Sequence, residues 1–190
     1  MRLIFTVLFF FSFVYFNASA SVNNHGIAKL DTLADEKFPT PAANHLRLFY
    51  LQRDPNTNTV AYDIVLNKNG EADEDDGPVH AYWLRYTDKG QREELNFIQR
   101  KFAYGLNIKN VGKDKYDIRF VSYKKIPLTL MKGSDGKYHI FVTISKRQVI
   151  LNRIFIRING GAFWSPNVIY VEFKGTDIST GKEITERFKP

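Results

Sequence analysis

From residue 45 onward, apolar and polar side chains alternate in nine short runs, at 45–53, 59–66, 79–87, 106–111, 115–123, 126–131, 137–145, 149–158 and 167–176. A period of two places successive side chains on opposite faces of an extended chain, so runs of this length read as half-buried strands. Turn chemistry lies between them. Asp54-Pro55-Asn56-Thr57-Asn58 joins the first two, Gly133-Ser134-Asp135-Gly136 suits a hairpin, and Asn159-Gly160-Gly161 breaks the chain before Phe163-Trp164-Ser165-Pro166. The expected fold is mainly β (β-rich α+β): an antiparallel β-sandwich or partly open barrel with one packed α-helix. That helix is expected to be capped by Asp88 with Gln91 three residues on, to present Leu95, Ile98 and Phe102 along one face to the sheet, and to end at Gly105.

The alternation also predicts which face is core. Leu46, Leu48 and Tyr50 fall on one side, as do Tyr82, Leu84 and Tyr86; Tyr116, Ile118 and Phe120; Tyr138, Ile140, Val142 and Ile144; and Ile154, Ile156 and Ile158. The opposite side is mixed, with arginine recurring in mid-strand. Arg47 and Arg53 flank Phe49 and Leu51, Trp83 shares a side with Arg85, Arg119 with Tyr123, and Arg153 and Arg157 bracket Phe155. On a solvent-facing sheet, arginine stems simply cover aromatic surface. Lining a cleft, the same guanidinium groups are forks for carboxylate or phosphate, beside aromatic rings that stack a sugar or an acyl chain. Arg85, Arg119, Arg153, Arg157, Trp83, Tyr123 and Trp164 are therefore the candidate ligand-binding residues.

The first 20 residues differ from the rest. Met1-Arg2 is a short positive start, Leu3 to Phe16 is almost wholly apolar, and Ala18-Ser19-Ala20 has the small-x-small form of a cleavage site. The run is shorter than the roughly 20 residues that span a bilayer, which predicts a signal peptide at 1–20 and an exported chain, periplasmic, surface-bound or secreted. No second run long enough to cross a membrane follows. Residues 21–44 are polar, contain Pro39 and Pro41 and show no sustained period, as expected of a flexible leader ahead of a single domain at 45–190. The chain has no cysteine, so the domain must be stabilised by burial without disulfides.

Charge is uneven. Residues 21–100 carry 9 basic and 13 acidic groups, net −4, whereas residues 101–190 carry 17 and 7, net +10. Such asymmetry suits an anionic glycan, lipid or envelope protein as partner, or a surface whose opposite charges meet on folding. The run Glu71-Ala72-Asp73-Glu74-Asp75-Asp76-Gly77 lacks the spacing of a calcium loop and reads as a flexible acidic hairpin loop. No pair of the four histidines has zinc-ligand spacing, no serine sits in G-x-S-x-G, and no phosphate-binding glycine loop is present. No catalytic residue, metal or cofactor is expected. The export signal and missing recognition motifs argue against nucleic acid.

Several ordered segments carry a family resemblance. Leu48-Phe49-Tyr50-Leu51-Gln52-Arg53, Tyr82-Trp83-Leu84-Arg85-Tyr86, Gln99 to Gly105, Phe120 to Lys125, Arg153 to Trp164 and Glu186-Arg187-Phe188-Lys189-Pro190 resemble the exported Bacteroidota proteins grouped as domain of unknown function 4833. The resemblance spans roughly Leu48 to Pro190. It implies a cell-envelope or secreted protein and carries over no activity. The leading expectation is thus a non-enzymatic extracytoplasmic binding or interaction module with a basic and aromatic sheet face. The alternatives are an envelope glycan- or lipid-acting hydrolase or transferase, and a structural envelope subunit.

Overall fold

A computed structural model of the chain describes residues 38–162 and 165–190. The expected signal peptide, most of the leader, and Trp164 lie outside the described residues. Eleven strands among them form one hydrogen-bonded sheet: β1 (Arg47–Arg53), β2 (Thr59–Ile64), β3 (Val79–Arg85), β4 (Gln91–Glu94), β5 (Leu106–Gly112), β6 (Lys115–Phe120), β7 (Leu128–Lys132), β8 (Tyr138–Ile144), β9 (Arg147–Ala162), β10 (Ser165–Asp177) and β11 (Glu183–Phe188). The protein is mainly β, and the sheet curls into a half-barrel.

The curl originates at β9. On one edge it pairs antiparallel with β10 from Val149 to Ala162. Its other edge serves two strands in succession: β8 pairs antiparallel with Arg147 to Ile150, and β1 pairs parallel with Arg153 to Ile156. Two wings, β1–β4 and β5–β8, therefore spring from one edge of one strand. They turn to face each other, since Phe120 of β6 meets Phe49 of β1 and Tyr62 of β2 edge-on, with ring centroids 6.1 and 5.9 Å apart. Between them lies the core, including Phe49, Val60, Tyr62, Ile118, Leu130 and Ile140. At the bulge in β10, a Cβ on Gly175 would lie 2.2 Å from the Ile150 carbonyl oxygen, so only glycine allows the two strands to approach.

The predicted core faces hold for β6, β8 and β9, and shift in two strands. A register irregularity between Arg47 and Phe49 turns Phe49 and Leu51 inward and Tyr50 outward. In β3 the inward residue is Trp83, opposite Val60, while Tyr82 lies across from Ala61 on the convex side. A single bulge reverses every later assignment along its strand, because the side-chain period is two.

The helix is shorter than expected and begins later. Lys89 and Gly90 take positive φ after a 3-10 turn at Tyr86–Asp88, and Gln91–Glu94 become a fully exposed, charged edge strand. The helical segment α1 comprises an α turn at Phe97–Gln99 and a π-helical stretch at Arg100–Tyr104. Asn96 caps it: its side chain accepts from the Gln99 N–H, and Gln99 Oε1 accepts from the Asn96 N–H, both at 2.9 Å. Gly105 ends it as expected, because a Cβ there would lie 1.9 Å from the Arg100 carbonyl oxygen. Of the three residues expected on the packing face, Leu95 is buried, whereas Ile98 and Phe102 are exposed.

The acidic run forms the β2–β3 connection and is pinned at its centre. Ala72 is buried, its N–H donates to the Tyr138 hydroxyl at 3.1 Å, and Glu74 accepts from the Tyr116 hydroxyl at 3.0 Å. Burial and the neighbouring carboxylates Glu74 and Asp114 push the Tyr116 and Tyr138 hydroxyls up to about 12, so both remain hydrogen-bond donors. Residues 38–44, the end of the expected leader, lie against the convex face. Phe38 packs edge-on against Phe155, and Asn44 Nδ2 donates to Asp63 at 2.9 Å.

Candidate functional site

An apolar cleft of about 480 Å³ opens at the end of the half-barrel where α1 crosses it, within the ~300–1,000 Å³ range of small-molecule sites. Its floor is the inward face of β9 and β10, with Ile156, Ile158, Val168 and Val171. One wall is Ile98, Phe102 and Tyr104 of α1; the other is Ser122 and Tyr123, which follow β6. Hydroxyl groups fix α1 in place. Tyr62 donates to the Tyr104 carbonyl at 2.9 Å and Ser122 to the Ala103 carbonyl at 2.7 Å, satisfying carbonyls that a helix end leaves open. Gln99 Oε1 also accepts from the Trp83 indole at 3.2 Å, tying the helix to β3.

Two polar groups in this lining stand out. Arg53 closes β1 on the same inward side as Leu51, its guanidinium carbon 5.5 Å from the centre of the Tyr104 ring. Among the described residues the Arg53 guanidinium has no carboxylate partner and no hydrogen bond. The Tyr104 hydroxyl is buried and likewise has no hydrogen-bond partner among the described residues. Burial raises the Tyr104 pKa and outweighs the opposing charge of Arg53, so the phenol keeps its proton and can donate. A buried donor without an acceptor is uncommon in folded proteins and calls for a physical account.

Of the seven residues proposed from sequence, the six that the structure describes are dispersed. Trp83 is 3 % exposed, a core residue packed edge-on against Tyr104, and offers no stacking surface to solvent. Arg85 and Arg119 sit on opposite wings. Arg85 lies 3.5 Å from Asp88 and 3.4 Å from Glu93, and Arg119 lies 3.2 Å from Asp117 and donates to the Lys124 carbonyl at 3.1 Å. Arg153 and Arg157 do share the convex face across Phe155. Arg153 is buried over the Phe155 ring, and Arg157 pairs with Asp54 at 2.5 Å. Tyr123 alone of the described candidates lines the cleft. The expectation of one shared arginine face is corrected: it assumed a single uninterrupted alternation, which the β1 bulge and the curl between wings remove.

Each histidine on a strand lies beside an acid. His80 Nε2 donates to Glu94 at 2.7 Å while its Nδ1 accepts from Arg92 at 2.6 Å, and His139 Nε2 lies 3.0 Å from both Asp135 carboxylate oxygens. The His139 hydrogen bond holds the Asp135 carboxyl below its usual range. Neither pair reaches the cleft. Among the described residues no group of three or more histidine or acidic side chains is arranged to hold a metal, and no helix is long and apolar enough to cross a membrane.

Comparison with protein families bears out the family named in the resemblance and says nothing of export or origin. The profile of DUF4833, a domain of unknown function, matches residues 49–187. The chain belongs to this family. No curated protein and no solved structure matches it. The matched range contains Arg53, all of α1, Tyr123 and both strands of the floor, so the cleft is a feature of the family domain in this chain.

Proposed function

We propose that this domain is a non-enzymatic binding module that holds a ligand with an apolar body and one anionic group in the cleft between α1 and β9–β10. The observation that carries this reading is Arg53: a guanidinium at an apolar cleft, without a carboxylate among the described residues to neutralise it. A carboxylate or phosphate ester seated there would accept from Arg53 and from the Tyr104 hydroxyl, while its apolar body covers Ile156, Ile158 and Val171. The anionic ligand expected from sequence is retained in this proposal, and its site moves from the convex arginines to the cleft. We also propose that the protein works outside the cytoplasm, on the strength of the charged start, apolar run and Ala18-Ser19-Ala20 pattern.

The test is thermal stabilisation and titration of the full chain with dodecanoate, and with dodecanol as an uncharged probe of the same length. Dodecanoate should bind more tightly than dodecanol. Arg53→Leu should weaken dodecanoate by about ten- to a hundredfold, the worth of a charge-assisted hydrogen bond, and leave dodecanol nearly unchanged. Equal affinity for both probes, or unchanged dodecanoate binding in Arg53→Leu, would overturn the assignment.

A further inference from the structure

We infer that the rim of the cleft is a docking surface for an anionic lipid bilayer. The proposal goes beyond ligand binding and does not require the cleft to be occupied. Its basis is α1, whose exposed side chains form the rim and in part the wall of the cleft. Seven large apolar side chains are exposed among the described residues, and three of them, Phe97 at 67 %, Ile98 at 52 % and Phe102 at 57 %, fall within this one segment. Scattered exposure of single apolar residues is ordinary, whereas a contiguous group marks a contact surface.

The charge around these residues identifies the partner. Lys101 lies 5.3 Å from the Phe97 ring centre and 5.5 Å from that of Phe102, placing an ammonium between the two aromatic groups. Arg100 is exposed beside it. The Ser122–Ala103 hydrogen bond brings in the loop after β6, where Lys124 and Lys125 are exposed and Lys125 lies 5.8 Å from the Tyr123 ring. No aspartate or glutamate occurs in residues 95–113 or 118–134, so both segments that build the rim are free of acid. Exposed aromatic and aliphatic groups interleaved with lysine and arginine suit the headgroup region, where rings enter the acyl boundary and cations meet lipid phosphates. A second copy of the chain is the wrong occupant, because a symmetric contact would set the same four cations against themselves.

The absence of cysteine makes the test direct. Phe97→Cys and, at the far end of β10, Ile178→Cys each provide one attachment point for a polarity-sensitive dye in the full chain; both positions are exposed. Vesicles of equimolar phosphatidylglycerol and phosphatidylcholine should shift the dye at position 97 to the blue and leave the dye at 178 unchanged. Pure phosphatidylcholine should shift neither. Adding Lys101→Glu and Lys125→Glu should weaken the response at position 97 by at least about tenfold. Attachment through the apolar run at residues 3–16 would leave position 97 in water and overturn the proposal. So would equal response to both vesicle types, or no response to either, the result expected if the rim serves a protein partner. Dodecanoate binding is read separately, so loss of either proposal leaves the other standing.

Discussion

Arginine is used in opposite ways on the two faces of the sheet. On the convex face Arg47 pairs with Asp63, Arg157 with Asp54 and Arg187 with Glu172. In the cleft Arg53 faces apolar side chains and an aromatic ring, with no acid beside it among the described residues. A charge in partial burial is tolerated when an opposite charge and hydrogen bonds compensate for lost hydration. These three convex arginines meet that condition within the chain, which makes them part of the fold. Arg53 has no such partner among the described residues, and the anionic ligand proposed above would supply one.

The largest effect should come from breaking the best-connected convex pair. Asp63 accepts from Arg47, from the Tyr82 hydroxyl at 2.6 Å and from Asn44 at 2.9 Å. Burial disfavours the Arg47 charge, yet Asp63 outweighs it and raises the Arg47 pKa above the usual arginine value. Asp63→Ala would strand that guanidinium, and chemical denaturation should show a loss of about 3–5 kcal/mol. A loss of under about 1 kcal/mol would mean that the convex pairs contribute no more than ordinary surface ion pairs.

Arg53→Leu is the matched opposite and should be far smaller. Removing a cation without a partner from an apolar lining should change stability by no more than about 0.5 kcal/mol, with a gain as acceptable as no change. The comparison between faces collapses if Arg53→Leu costs as much as Asp63→Ala.

This contrast also marks how far sequence could reach. Nine of the eleven strands and most turns were legible because alternation and turn chemistry are local; β4, read as helix, and β11 were not. Core faces were legible in β6, β8 and β9, as from Tyr138 to Ile144, but not in β3, where Tyr82 and Trp83 put an aromatic residue on each face. The β1 bulge was not, since nothing in Arg47-Leu48-Phe49 distinguishes a bulge from continued alternation among apolar residues. Ile98 and Phe102 have the spacing of a packing face, but Gly90 and the Asn96 cap begin the helix late and leave both exposed. Arg53 was legible only as one more arginine flanking apolar residues, with nothing local to set it apart. Its neighbour Asp54 joins Arg157, through the parallel pairing of β1 with β9 that brings distant segments together. An unpaired charge is a property of the whole topology and has no local signature.

The smallest effect concerns an ion pair at the far end of β9 and β10, and asks whether its exposed arginine matters at all. Asp177, at the end of β10, accepts from the Ser179 hydroxyl at 2.6 Å, from the Ser179 N–H at 2.8 Å and from Arg147 at 3.1 Å. These contacts, those of Ser179 foremost, lower its pKa from 3.8 to about 2. A carboxylate whose pKa is depressed by folding stabilises the native state above its unfolded pKa and loses that contribution as acid protonates it in the fold. Asp177→Asn should therefore melt a few degrees below the parent at neutral pH, and the gap should close as pH falls from about 4 to about 2. Arg147→Ala should keep most of this pH dependence, because the arginine is exposed and the serine contacts lead. If Arg147→Ala instead abolishes it, even this exposed arginine is a full structural partner of its acid, and the contrast with Arg53 becomes wider still.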